Sequence, residues 1–137
     1  MATLISPATT SLLLRIGLGV EFIVFGYGKL TDVASWIGFV PPWMSPLLPM
    51  PVVTFLQVVG TLELVLGLLL LAGLWVRVIA ALSALHLLGV LVALGFNDLA
   101  VRDFVSFTAA AALAVLGPAG CHWSIDGGIR RQPSACS

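Results

Sequence analysis

Apolar residues run along the chain in four long stretches, separated by short or proline-rich breaks. A helix that spans a bilayer needs about 20 mostly apolar residues at 1.5 Å rise each. The pattern predicts helices over residues 11–30, 52–71, 76–96 and 103–116. The last is short and alanine-rich, and Gly117-Pro118 stops it. Ala72-Gly73-Leu74-Trp75 leaves room only for a tight turn, so the second and third helices are expected to be antiparallel neighbours. Asn97-Asp98 opens another short turn, where Asp98 or Asp103 suits the positive end of the fourth helix. The connection over residues 31–51 is different. Pro41, Pro42, Pro46, Pro49 and Pro51 exclude a continuous helix, while Trp36 and Trp43 keep the stretch apolar. Such an outer loop is expected in the headgroup interface, or folded partly back over the helices.

Composition names the solvent. The chain has 137 residues, 60% of them hydrophobic and 9% charged, against about 25% charged in a soluble domain. Too little polar surface exists to cover a water-soluble globule, so the reading is one membrane domain over residues 1–137: all-α, an integral four-helix bundle in contact with the lipid bilayer. Six basic and six acidic residues cancel, which excludes a nucleic-acid partner. The first apolar run carries Arg15 and Glu21 and follows no positive segment, so it is read as a mature transmembrane helix rather than a signal peptide. With the N-terminus inside, Arg15, Arg77, Arg130 and Arg131 lie at the inner ends, against Lys29 and Arg102 outside. That balance puts both termini and the tail, residues 118–137, in the cytoplasm, with the chain multi-pass in the inner (plasma) membrane. Cys121 and Cys136 then sit in a reducing compartment; they form no CxxC pair and match no metal spacing, and are read as incidental tail thiols. The four stretches are not repeats of one another, which argues against an inverted-repeat transporter.

Charge at mid-depth is the candidate chemistry. Glu21, Glu63 and His86 fall near the middle of the first three helices. Facing lipid, an ionised group there costs about 2.5–3.5 kcal/mol, so the three are expected to point inward. Small residues share their stripes: Gly17 and Gly28 with Glu21, Gly60 and Gly67 with Glu63, and Ser83, Gly89 and Ala93 with His86. Gln57 and Thr61 are expected on the outer side of Glu63. Three readings of the cluster stay open: a structural polar core, a proton relay or site for a small redox molecule, and a metal site of two carboxylates and an imidazole. No ExxH or HxxxH spacing supports the metal, and no metal ligand is assigned. Arg15 and Arg77, near the inner ends, either snorkel to lipid phosphate or form an anion site. At the outer end Tyr27, Lys29, Asp32, Asp98, Arg102 and Asp103 form either an interfacial ion-pair network or a substrate mouth beneath the proline loop, with Tyr27 and Lys29 its binding candidates. Phe22, Phe25, Tyr27 and Trp36 are either lipid-belt aromatics or the lining of a quinone headgroup pocket.

Three segments resemble a known family. LLLRIGLGVEFIVFGYGKL is similar to the opening helix of DoxX-like membrane proteins, LELVLGLLLLAGLWVRVIA to their second-to-third helix signature, and VRDFVSFTAAAALAVLGPAGCHWSID to their closing element. Arg15, Gly26, Gly28, Lys29, Glu63 and Arg77 stand at motif positions, whereas Glu21 and His86 are not matched to the pattern. The resemblance implies a four-helix membrane bundle and a link to redox biology, since the family takes its name from a thiosulfate:quinone oxidoreductase and members are associated with sulfur oxidation or defence against thiol oxidants. The chain has no flavin fingerprint, haem motif or iron–sulfur cysteines, so no cofactor is expected in the chain itself, with quinone the candidate ligand. A redox subunit working beside a soluble oxidoreductase is the first expectation. An anchor, assembly factor or small-solute carrier is the second. A channel is the weakest, because four short helices enclose a pore only on forming a homo-oligomer.

Overall fold

The structure is a computed structural model that describes residues 6–95 and 98–118, with Leu99 described by its backbone alone. Phe96, Asn97, both cysteines, Arg130 and Arg131 lie outside the described residues. Helix α1 spans Pro7–Thr31. It starts earlier than the apolar run because Ser6 caps it, accepting from the Thr9 backbone N–H at 3.2 Å, and Pro7 suits the first turn. A short helix α2, Ala34–Ile37, and a 3₁₀ turn, Ser45–Leu47, are the regular pieces of the proline-rich connection. Helices α3 (Val52–Ala72), α4 (Val76–Leu94) and α5 (Asp98–Leu116) follow. Because α5 starts at Asp98, Asp103 lies inside it and is not its cap; its carboxylate pairs with Arg102 instead.

The α3–α4 turn shows how three residues reverse the chain. Gly73 takes the left-handed conformation (φ 72°), and its N–H donates to Leu70 O while the Leu74 N–H reaches back to Leu69 O. These are the two hydrogen bonds of a Schellman motif. Trp75 also has positive φ (43°), and α4 begins at the next residue. Arg15 of α1 adds to this closure, donating to Leu70 O at 3.1 Å and Leu71 O at 3.4 Å. Its charge therefore sits at the negative end of α3.

Among the described residues the protein is all-helical, with no strand. Helices α1, α3 and α4 are long and apolar enough to cross a membrane. Helix α5 is a fourth long helix, with Asp98, Arg102 and Asp103 in its first turns. The helices pack chiefly as two pairs, α1 on α3 and α4 on α5, with lighter α1–α5 and α3–α4 contacts. Glycines decide the first pair. An added Cβ on Gly26 would stand 2.6 Å from Gly60 O, and one on Gly67 would stand 2.8 Å from Gly19 O. The two backbones therefore touch at Gly26–Gly60 and Gly19–Gly67, antiparallel, as small residues permit in membranes. Gly17 is not on this face, since nothing lies within 4 Å of its Cβ position.

Below, at the Arg15 end, Leu18, Leu66, Leu70, Val76, Ile79, Ala80, Ala110 and Leu113 close a dry core. Outside, Val20, Val24, Leu68, Val78, Val92 and Val105 are among many exposed large apolar side chains on all four long helices. A surface of this kind faces hydrocarbon rather than water. The chain is a membrane protein.

Candidate functional site

The end opposite the dry core is hollow. A cavity of about 590 Å³ opens between the C-terminal half of α1, the N-terminal half of α3, the C-terminal half of α4 and the start of α5. Its wall is mostly apolar, with Phe22, Phe25, Phe55, Leu56 and Leu66 among its residues. Trp36, Phe39, Val40, Pro41 and Met44 fold back over it from the proline-rich connection. Trp36 is anchored there by an edge-on contact with Phe25, ring centroids 5.6 Å apart, and by a tilted contact with Phe39 at 5.9 Å.

Ionisable groups from four helices reach this apolar space. Glu63 stands at the centre. Its Oε2 accepts from Lys29 Nζ at 2.6 Å, and its Oε1 lies 3.2 Å from His86 Nε2. Both partners of the ion pair are buried, with side chains 11% and 8% exposed.

Helix geometry explains how Lys29, two residues before the end of α1, reaches the middle of α3. Every helical Cα–Cβ bond tilts toward its own N-terminus. In an antiparallel pair, a lysine above and a glutamate below therefore lean toward one another. Gly26 and Gly60 bring the backbones together, and each charged residue follows its glycine by three positions. The Lys29 stem lies against Gly60, where an added Cβ would come within 2.8 Å of Lys29 Cβ. Lys29 thus turns inward instead of standing at headgroup level. The signal was present in the matching Gly-x-x-Lys and Gly-x-x-Glu spacings, but it becomes readable only once the α1–α3 register is known.

The ammonium also lies against the Trp36 ring, 4.2 Å from Nζ to the centroid. His86 in turn stacks at a tilt on Phe22, 6.0 Å between centroids. The second group of polar residues comes from α1 and α5. Glu21 Oε1 accepts from Ser106 Oγ at 2.7 Å. Asp103, buried, accepts from Arg102 at 3.0 Å, and the guanidinium carbon lies 4.4 Å from the Phe25 ring centroid.

Of the three expected mid-depth groups, Glu63 and His86 bond to each other, while Glu21 lines the same cavity and bonds Ser106. Phe22, Phe25 and Trp36 line the cavity, whereas Tyr27 is exposed on the outer surface. Gln57 and Thr61 are exposed as well, with Thr61 Oγ1 donating to Gln57 O, so they belong to no polar core. Arg15 and Arg77 lie at the far end; Arg15 is buried against α3, and exposed Arg77 lies against Gly117, whose carbonyl accepts from Ser11 at 2.8 Å. Ser106 is a site residue that the sequence pattern did not single out, while Arg102 and Asp103, expected at the outer end, stand on the cavity wall. No cluster of three or more potential metal ligands occurs among the described residues.

The sequence model of the DoxX family matches residues 10–96. No curated protein and no solved structure matches the chain.

Proposed function

We propose a redox-linked role for this membrane protein, which belongs to the DoxX family: a subunit that takes a quinone headgroup into the cavity and exchanges electrons through a soluble oxidoreductase partner. One observation carries the reading. A chain of proton-bearing groups, Lys29–Glu63–His86, opens into a large, mostly apolar hollow capped by aromatics. A quinone ring is flat and apolar on its faces, with two carbonyl oxygens that require donors. Aromatic walls suit the faces, and His86 and Lys29 suit the oxygens. Reduction to the quinol adds two electrons and two protons. Glu63 would pass a proton between Lys29 and His86, and Glu21 would hold a second acid on the α5 side. Electrons would come from the partner, since no flavin, haem or iron–sulfur motif is present in the sequence.

The proposal carries its topology with it: a four-helix bundle in the inner (plasma) membrane, α5 the fourth span, both termini cytoplasmic. Exposed Arg77 then faces the cytoplasm, available to an anion or to an acidic face of the partner, while Arg15 contributes positive charge from within, and Tyr27 stands at the outer surface.

A second reading has its own support. The Lys29–Glu63 pair sits directly on the glycine seam and joins α1 to α3, as a structural polar core in an anchor or assembly factor would. His86 separates the two, because it lines the cavity and reaches the seam only through its bond to Glu63, which a glutamine at that position can still make. The test is equilibrium binding of a benzoquinone to the purified chain in nanodiscs, with His86→Gln alongside. The redox reading expects saturable binding that weakens about tenfold in the variant at unchanged unfolding midpoint. A chain that purifies empty and takes up no added quinone overturns it and leaves the anchor.

A further inference from the structure

The cavity has a side opening. Six of its lining residues are exposed: Leu62 of α3 (46%), Leu82, Leu85 and Gly89 of α4 (47% and 65% for the leucines), Phe39 of the connection (48%) and Arg102 of α5. Residues that both line a hollow and face outward mark its rim, and four of these six, all apolar, belong to α3 and α4. Gly89, one turn beyond Leu85, is exposed on the same edge and lines the cavity, with nothing within 4 Å of where its Cβ would stand. This glycine is therefore not a helix-contact glycine of the Gly26 or Gly60 kind; it leaves a gap. The two helices are held together at the Gly73 turn and by the Glu63–His86 bond, and touch only lightly elsewhere. Over the end of the bundle, by contrast, Trp36 and the proline-rich connection lie across the hollow.

We infer that the site is entered sideways from the bilayer, between α3 and α4, and that its ligand is an amphiphile: a polar head on Lys29, Glu63 and His86, and a long apolar tail leaving over Leu62, Leu85 and Gly89 into lipid. This deepens the quinone reading and rests on it for the head, while the portal itself stands on the rim residues. A tail in this gap meets hydrocarbon on both sides, so it loses nothing on leaving lipid. A small water-soluble ligand would gain nothing from such a seam and would enter at the polar end, between Trp36 and Arg102. The polar groups are recessed behind the leucines, which places the head deep and the tail outermost.

The experiment compares two probes on the full chain in nanodiscs, a benzoquinone with a ten-carbon tail and the same ring without a tail. Gly89→Leu fills the gap without touching any neighbour at its Cβ, and it replaces a poor helix former with a good one, so the fold is retained. The portal predicts that the variant weakens the tailed probe by about tenfold and the tail-less probe by less than about twofold. Leu85→Ala, which widens the rim, leaves tailed binding equal or tighter. Equal losses for both probes, or no loss for either, overturn the portal. If neither quinone binds the native chain, the quinone reading falls, and the portal is decided on its own by fluorescence. In a chain keeping Trp36 as its single tryptophan, lipid brominated along the acyl chain quenches Trp36, and Gly89→Leu removes the quenching. Quenching that is absent, or the same in both chains, overturns the portal without reference to any quinone.

Discussion

Replacing Lys29 by methionine removes the cation from a buried pair and leaves its partner in place. At 2.6 Å, an attraction scaled by an effective dielectric of about 20 amounts to about 6 kcal/mol. Much of that offsets the cost of taking both charges out of water, so the pair adds little net stability relative to an apolar pair. The loss on cutting it one-sidedly is still large, because Glu63 would keep only His86, at 3.2 Å, in an apolar hollow. The expected destabilisation for Lys29→Met is about 3–5 kcal/mol. Lys29→Met combined with Glu63→Leu removes both charges, and its stability should return to within about 1 kcal/mol of the native chain. Unfolding in mixed micelles, titrated with SDS and followed by tryptophan fluorescence, measures all four members of the double-mutant cycle. A single-variant loss below about 1 kcal/mol, or a double variant equal to the sum of the singles, would show that the pair is not a coupled buried unit.

Other perturbations test the surroundings of that pair. Gly26→Ala drives a methyl into Gly60 O and the Leu64 backbone, so α1 and α3 must part at a cost of about 1–3 kcal/mol in the same assay, while Gly17→Ala, which meets nothing, leaves the midpoint unchanged. Arg15→Met strips the donors from Leu70 O and Leu71 O and should cost about 2–3 kcal/mol, with Arg15→Lys recovering part of it. Trp36→Ala removes a cation–π contact worth about 1–2 kcal/mol and uncovers Lys29; mass spectrometry should find faster acylation of Lys29 by a water-soluble reagent, and an unchanged rate would mean that Trp36 does not cover it.

The sequence carried the helical plan because lipid enforces it. Long apolar runs between Gly, Pro and Asn breaks leave the backbone no alternative but helix, and the Gly73 turn has the residue its left-handed bend requires. The first turn of α1 escaped the apolar pattern because Ser6 and Pro7 act through cap chemistry, not hydropathy. Within the site, the inward placement of Glu63 and His86 follows from the cost of charge in hydrocarbon. The Lys29 partnership does not, because charge near a helix end is satisfied equally well by headgroups. Only the Gly26–Gly60 contact, a tertiary fact, turns it inward. Glu21 shows the same limit. Its depth was legible, but its partner Ser106 lies 85 residues away, on a helix whose rotation no one-dimensional pattern encodes.

The position of each charge along its own helix bears on how the chain enters the bilayer. α1 leaves the ribosome first, and Lys29, two residues from its end, can rest among the headgroups while it waits. Glu63, in the middle of α3, has no such refuge, and a lone acid there costs about 2.5–3.5 kcal/mol on insertion. α3 should therefore partition best when α1 is already alongside with its lysine free to descend. A glycosylation reporter on α3 should record less insertion behind an α1 carrying Lys29→Met, and equal insertion behind both would disprove the dependence. On this account the ion pair is an assembly signal before it is part of a site: the first helix holds a charge in reserve for the arrival of the second span.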